Sequence, residues 1–237
     1  MKQETIARLE ALKTDRPKAK LEAQMIGESL ELSLYGVIDS CSPNSADNFK
    51  AVMDEYGKNA AEINLRINSI GGLISEGFAI YEMLRSHPAK VNIKVDGLAC
   101  SMASMICMAG DRVTMGPASM MMIHNPMSSI TGNADEMRAQ ADRLDAQAEA
   151  ARKAYLLKSN GKISEELLID LMDAETFLKA DECKAYGFCD EVVDDSLMQA
   201  QAEISSLKAE IAELKAKLNN QAREPEQPSN RKKGWLF

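Results

Sequence analysis

Between residues 30 and 95 three strand-like segments are interleaved with two segments of helical spacing, and this interleaving constrains the fold more than any other feature of the chain. Leu30-Glu31-Leu32-Ser33-Leu34-Tyr35-Gly36 alternates apolar and polar residues with the two-residue period of a strand. Ser45 to Tyr56 follows a Ser-Pro-Asn-Ser start and places Phe49, Val52 and Met53 at helical spacing. Ile63 to Asn68 returns to strand, Ser75 to Ser86 to helix and Val91 to Val95 to strand. Strands separated by helices join through crossovers rather than hairpins, which predicts an α/β fold around a mainly parallel sheet.

The flanks read differently. Residues 1–25 form a polar extension, with a short helix from Glu4 to Lys13 ending near Pro17, and the body occupies residues 26–195. Asn133 to Lys158 is a long, polar, alanine-rich helix with Met137, Ala141, Leu144, Ala148 and Ala151 down one side. Lys162 to Leu171 supplies a further helix and Phe188 to Val193 a last short strand. After Asp195 come Leu197, Ile204, Leu207, Ile211, Leu214 and Leu218, at differences of 7, 3, 4, 3 and 4, which predicts a coiled-coil helix over residues 196–222. The composition of residues 223–237 predicts a disordered tail whose basic and then aromatic end, Arg231 to Phe237, reads as either a solvated charge cluster or a docking peptide.

Composition excludes several classes of function. A chain of 237 residues, 45% hydrophobic, buries one sizeable core, and a net charge of −8 argues against wholesale nucleic-acid binding. The longest apolar run, Leu98 to Ala109, is too short to span a bilayer, and the charged start from Met1 to Lys20 is no secretory signal. Five cysteines, Cys41, Cys100, Cys107, Cys183 and Cys189, form no Cys-x-x-Cys pair and read as reduced cytoplasmic thiols, with neither metal nor other cofactor expected. Gly161-Lys162-Ile163 lacks the glycine loop and hydroxyl residue of a Walker motif, so any ATP dependence would come from a partner. Methionines cluster between Met102 and Met127, where unbranched side chains suit either core filling or an adaptable groove.

Chemistry concentrates in three short motifs. Gly97-Leu98-Ala99-Cys100-Ser101-Met102-Ala103-Ser104 places hydroxyls where a strand meets small residues. A serine hydroxyl is a weak nucleophile at neutral pH, so it needs an imidazole to take its proton, a group to orient that imidazole, and amides facing the developing oxyanion. Only two histidines exist. His87, in Arg85-Ser86-His87-Pro88, reads as an exposed helix end, whereas His124 ends the apolar run Met120 to Ile123 and should emerge from a buried strand into a cleft. Ile67-Asn68-Ser69-Ile70-Gly71-Gly72 puts a glycine pair directly after a strand, where backbone can approach a ligand or merely turn.

Together these motifs and Met122-Ile123-His124-Asn125-Pro126 resemble the proteolytic subunit of the Clp protease, a serine peptidase, and more closely the Clp-like head-maturation proteases of bacteriophages. The resemblance covers roughly Glu28 to Val193 and implies the Clp and crotonase type of αβ superhelix. It places Ser101 on the nucleophile of the family's Ala-Ser-Met pattern, here Cys100-Ser101-Met102, and leaves Ser104 as a packing serine and Cys100 as a small buried filler. It assigns the base to His124 and the oxyanion hole to the amides of Gly72 and Met102, with Ile70 where the family usually has proline. For the third member, counting back from Phe177-Leu178 lands on Glu175, with Asp173 as the alternative. The resemblance further implies protein substrates (capsid, portal or scaffold), a ring-forming homo-oligomer paired through the long helix, and a place in the host cytoplasm or the viral prohead. The other branch of the family implies a chamber served by an unfoldase ATPase, and a non-catalytic assembly scaffold is a third reading. No nucleic acid or membrane partner is expected.

Overall fold

A computed structural model of the protein describes residues 19–194 together with Ile204, Leu207 and Ile211. The chain divides after Val193 into two compact units, and all the elements below lie in the first, up to that residue. They run β1 (Lys20–Ile26), β2 (Ser29–Ile38), α1 (Ala46–Glu55), β3 (Glu62–Gly72), α2 (Ile74–Arg85), β4 (Lys90–Cys100), α3 (Met102–Cys107), β5 (Arg112–Met115), β6 (Met120–Ile123), α4 (Ala134–Ser159), α5 (Glu165–Asp173), β7 (Thr176–Lys179), α6 (Ala180–Tyr186) and β8 (Glu191–Val192).

One sheet holds all eight strands, in the order β1-β2-β3-β4-β5-β8, with β6 pairing β4 and β7 off that path. The pairs β2/β3, β3/β4, β4/β5, β4/β6 and β5/β8 are parallel, as the interleaved strands and helices require; β1/β2 and β6/β7 are antiparallel. Strand β1 falls in the stretch read from sequence as a polar extension. Its half-buried Leu21, Ala23 and Met25 alternate with Lys20, Glu22 and Gln24, so it is an edge strand whose apolar side is masked by charge.

The period-2 pattern decides which face is covered. Leu30, Leu32, Leu34, Ile63, Leu65, Ile67, Val91, Ile93, Val95, Val113 and Met115 are at most 2% exposed and form the core with Phe49 of α1, Ile80 and Leu84 of α2 and the whole of α3. The opposite face carries a polar ladder instead. Asn92 donates to Asn64, Asn64 to Glu31, and Arg66 makes two 2.7 Å bonds to Asp96, which also accepts from Tyr35.

The long helix α4 starts at a capping box, in which Asn133 accepts from the amides of Asp135 and Glu136 while Glu136 accepts from the Asn133 amide. It ends at Asn160 in the left-handed conformation. Its buried residues, Ala148, Ala151, Ala154, Tyr155 and Ser159, all lie in its second half, and Met137 in the first half is exposed. The second half of this helix therefore buries side chains against the body, and the first half buries none. Of the heptad seam, Ile204, Leu207 and Ile211 are helical and exposed; the rest of the seam, the basic and aromatic tail and the helix expected from Glu4 to Lys13 lie outside the described residues. Among the described residues no helix is long and apolar enough to cross a membrane.

Candidate active site

The site forms where β4 changes partners. Its first half, Asn92 to Val95, pairs with β5; its second half, Leu98 to Cys100, pairs with β6. Between them the register against β3 also slips, from Ile67↔Val95 to Ser69↔Ala99, and the Asn68 side-chain oxygen takes the Leu98 amide at 3.1 Å across the irregularity. This fork aims the end of β4 away from the regular sheet and into a cleft lined by Gly72, Ser101, Met102, His124, Met127 and Tyr155, among others.

Ser101 is the first residue past β4 and adopts φ 55°, ψ −124°. A non-glycine residue at positive φ costs on the order of 1–3 kcal/mol, so its surroundings must hold it there. They do so on both sides: its amide donates to Met122 O at 2.8 Å, and its carbonyl accepts from the amides of Ser104 and Met105. The small residues after it permit a helix to start at once, and Met102, first in α3, has an amide with no intrahelical acceptor.

The parallel ladder sets Cys100 beside Met122, and the next steps bring His124, just past β6, to the serine. His124 Nε2 lies 2.7 Å from Ser101 Oγ. Burial holds the imidazole below the usual histidine value, and the negative charge of Glu175 works in the opposite direction. A neutral ring at neutral pH is the form that accepts a proton. His87, by contrast, closes the end of α2, where its Nδ1 accepts the Ala89 amide.

The antiparallel β6/β7 ladder ends with Ile123 opposite Thr176, which brings the flanking residues His124 and Glu175 within electrostatic reach of each other. Glu175 itself sits at φ 52°, and its Oε2 is buried without a hydrogen-bond partner. An unpaired buried carboxylate oxygen is costly, and here it lies within electrostatic reach of the imidazole. Asp173 ends α5 and is exposed; its Oδ1 accepts from Asn125 Nδ2 at 2.6 Å. The alternative acid thus ties down the loop after His124 and lies off the ring.

Gly71 and Gly72 belong to β3 itself, which runs four residues beyond the expected Asn68. Gly71 has φ +84°, and a Cβ there would lie 2.5 Å from Cys100 O and 2.9 Å from Met102 N, against the serine turn. Its amide is taken by Ser69 Oγ at 3.0 Å. A Cβ on Gly72 would overlap the Ile38 carbonyl, and Gly72 also lines the Ser101 cleft. The pair therefore does more than turn the chain: it makes room for the serine turn. Cys100 is fully buried, and burial pushes its thiol up to about 12, far from a thiolate.

Sequence reasoning passed over Tyr155, which lines the cleft from α4. Continuing the apolar stripe from Ala151 by four residues would have reached it. A larger concavity, about 280 Å³, lies over the polar face around Asn64, Arg66, Asn92 and Lys94, and it shares no residue with the Ser101 cleft. The serine and histidine in hydrogen-bond contact lie in the smaller cleft. The family model of the Clp protease matches residues 50–196, an interval that contains Gly71, Gly72, Ser101, His124 and Glu175. With well over half of its length matched, this chain belongs to the Clp protease family of serine peptidases.

Proposed function

We propose that the chain is a serine endopeptidase in which Ser101 is the nucleophile, His124 the general base and Glu175 the carboxylate that orients the imidazole, acting on capsid, portal or scaffold proteins during phage head maturation. The observation that carries the catalytic part is the 2.7 Å contact between Ser101 Oγ and His124 Nε2 at a strained strand end.

The cycle follows from that contact. With the ring proton on Nδ1 and the charge of Glu175 favouring the protonated ring, Nε2 accepts the Ser101 proton as Oγ attacks the scissile carbonyl. The amides of Gly72 and Met102 take the oxyanion. His124 then passes its proton to the departing amine, leaving an acyl-serine. A water molecule, deprotonated by the same nitrogen, attacks the ester, and collapse of the second intermediate returns the proton to Ser101.

The maturation setting is supported by the resemblance of Met122-Ile123-His124-Asn125-Pro126 and Ala174-Glu175-Thr176-Phe177 to the phage branch, and by a heptad seam that a housekeeping chamber does not call for. Members of the family act on protein substrates and usually form rings. The exposed first half of α4 supports a ring-forming homo-oligomer here, paired through that helix. Family membership favours one other reading, a chamber subunit fed by an unfoldase ATPase.

One experiment addresses the chemistry and the setting together. The purified protein is incubated, without ATP, with a fluorophosphonate probe and separately with a candidate capsid, portal or scaffold protein. Ser101→Ala is expected to abolish labelling and cleavage while leaving the oligomer intact. Labelling that persists at Ser104 or Cys100 rejects the nucleophile; cleavage that appears only with an added ATPase rejects the maturation reading in favour of the chamber.

A further inference from the structure

We propose that Ser104 and Tyr155 are positioning residues: a buried pair of hydroxyls that pins the Ser101 turn to helix α4, so that the seating of α4 sets the reactivity of the serine. The proposal rests on the reading of Ser101 as nucleophile.

Ser104 is fully buried one turn after Ser101, and its single hydroxyl meets three oxygens. Its Oγ is 2.7 Å from Ser101 O, 3.0 Å from Met122 O and 2.7 Å from Tyr155 Oη. Both carbonyls are acceptors only, so the one Ser104 proton goes to one of them, and the contact with Tyr155 is then made by the tyrosine proton donated to Ser104 Oγ. Burial pushes the Tyr155 phenol well above its ordinary value, which keeps that proton in place.

The two carbonyls that Ser104 reaches are the ones that define the turn. Ser101 O closes the first turn of α3, and Met122 O accepts the Ser101 amide at 2.8 Å. The hydroxyl therefore touches the carbonyl of a residue held at φ 55° and, beyond it, the carbonyl that accepts that residue's amide. Tyr155 supplies a side-chain donor from outside β4, α3 and β6. Its ring is itself fixed, 3% exposed and packed on Phe188 with centroids 5.4 Å apart, so the phenol reports the position of α4. An alanine would fill the packing role of Ser104, and a phenylalanine that of Tyr155. The two hydroxyls together do something packing does not require.

The test uses the full chain. Tyr155→Phe removes one oxygen and keeps the ring, and it is expected to lower kcat on a peptide substrate and the rate of fluorophosphonate labelling alike by about tenfold, the rate equivalent of one hydrogen bond. KM should stay within about twofold, because the phenol oxygen is engaged by Ser104 and the residue is only 3% exposed, although it borders the cleft. Ser104→Ala should reproduce the loss, and the double variant should be no slower than Ser104→Ala, since Tyr155 acts only through Ser104. Rates are referred to the folded oligomer, measured by light scattering and circular dichroism. Wild-type kcat and labelling in Tyr155→Phe overturn the proposal, as do a loss confined to KM, a loss confined to the folded fraction, or additive effects in the double variant. Ser101→Ala run alongside separates the two readings: if it still labels, the nucleophile assignment fails, whereas a silent Ser101→Ala beside a full-rate Tyr155→Phe removes the positioning pair alone.

Discussion

Strand β4 crosses two environments within eleven residues, and they are held by different physics. Over its first half, Asn92 to Val95 pair residue by residue with both neighbours, while Val91, Ile93 and Val95 point into the core and Asn92 and Lys94 away from it. Over its second half, one neighbour is exchanged for β6, the register with β3 slips, and the strand runs out into a serine at positive φ. The first half owes its order to buried volume. The second owes it to the absence of side chains at Gly71 and Gly72 and to individual hydrogen bonds around Ser101 and Asn68. A substitution in the first should therefore be felt as stability, and one in the second as activity.

The strongest attempt to break that division is Glu175→Gln, which changes almost no volume. It should lower kcat on the order of 10³-fold with the unfolding transition little changed, since a misoriented imidazole fails as base. It also carries a pH signature. Burial already places the His124 pKa below the ordinary value, so the acid limb of activity in the wild type lies below about 6.5, the unperturbed histidine value. Removing the Glu175 charge, which raises that pKa, should move the limb to still lower pH, as a pH profile of kcat/KM would record. Asp173→Asn should do neither; if it is the damaging change, the β6/β7 register does not select the acid.

Ile93→Ala probes the other half. It deletes a 1%-exposed side chain and should cost about 2–5 kcal/mol in denaturant unfolding, while the fluorophosphonate labelling rate per folded molecule stays at the wild-type value. A kinetic defect in the folded fraction would mean that the two halves are not separable.

Gly71→Ala should straddle the division. The new Cβ meets Cys100 O at 2.5 Å in a backbone with φ +84°, so stability should fall by about 1–3 kcal/mol and labelling should slow with it. Gly116→Ala, with nothing within 4 Å, is the silent control. The smallest effect expected is a gain. Ser101→Gly should be about 1 kcal/mol more stable than Ser101→Ala in thermal unfolding, because glycine relieves the strain at φ 55° that alanine keeps.

The same division explains what the sequence disclosed. The period of Leu30 to Tyr35 and the spacing of Phe49, Val52 and Met53 report burial directly, and β2, α1, α2 and α4 lie close to their expected places. Ser101, His124 and Gly72 were singled out by the resemblance of their motifs to the Clp family, since the residues alone also fit a packing serine, a core histidine and a plain turn. What stayed hidden depends on partners distant in sequence. Strand β1 is masked by its charged outer face, and Arg112–Met115 and Thr176–Lys179 are four-residue strands that exist only because β4 and β6 offer them edges. The choice between Glu175 and Asp173 is likewise a matter of register across β6 and β7, which no local pattern encodes.

The placement of β7 bears on the life of the chain before it is finished. A ribosome delivers the serine first, the imidazole 23 residues later and the Glu175 carboxylate only after a further 51, just before a four-residue strand whose pairing edge is β6. Translation thus exposes Ser101 and His124 to the surrounding proteins well before Glu175 can dock against them. With Glu175 as the proposed orienting acid, a nascent chain lacks the complete triad until about three-quarters of its 237 residues have been joined.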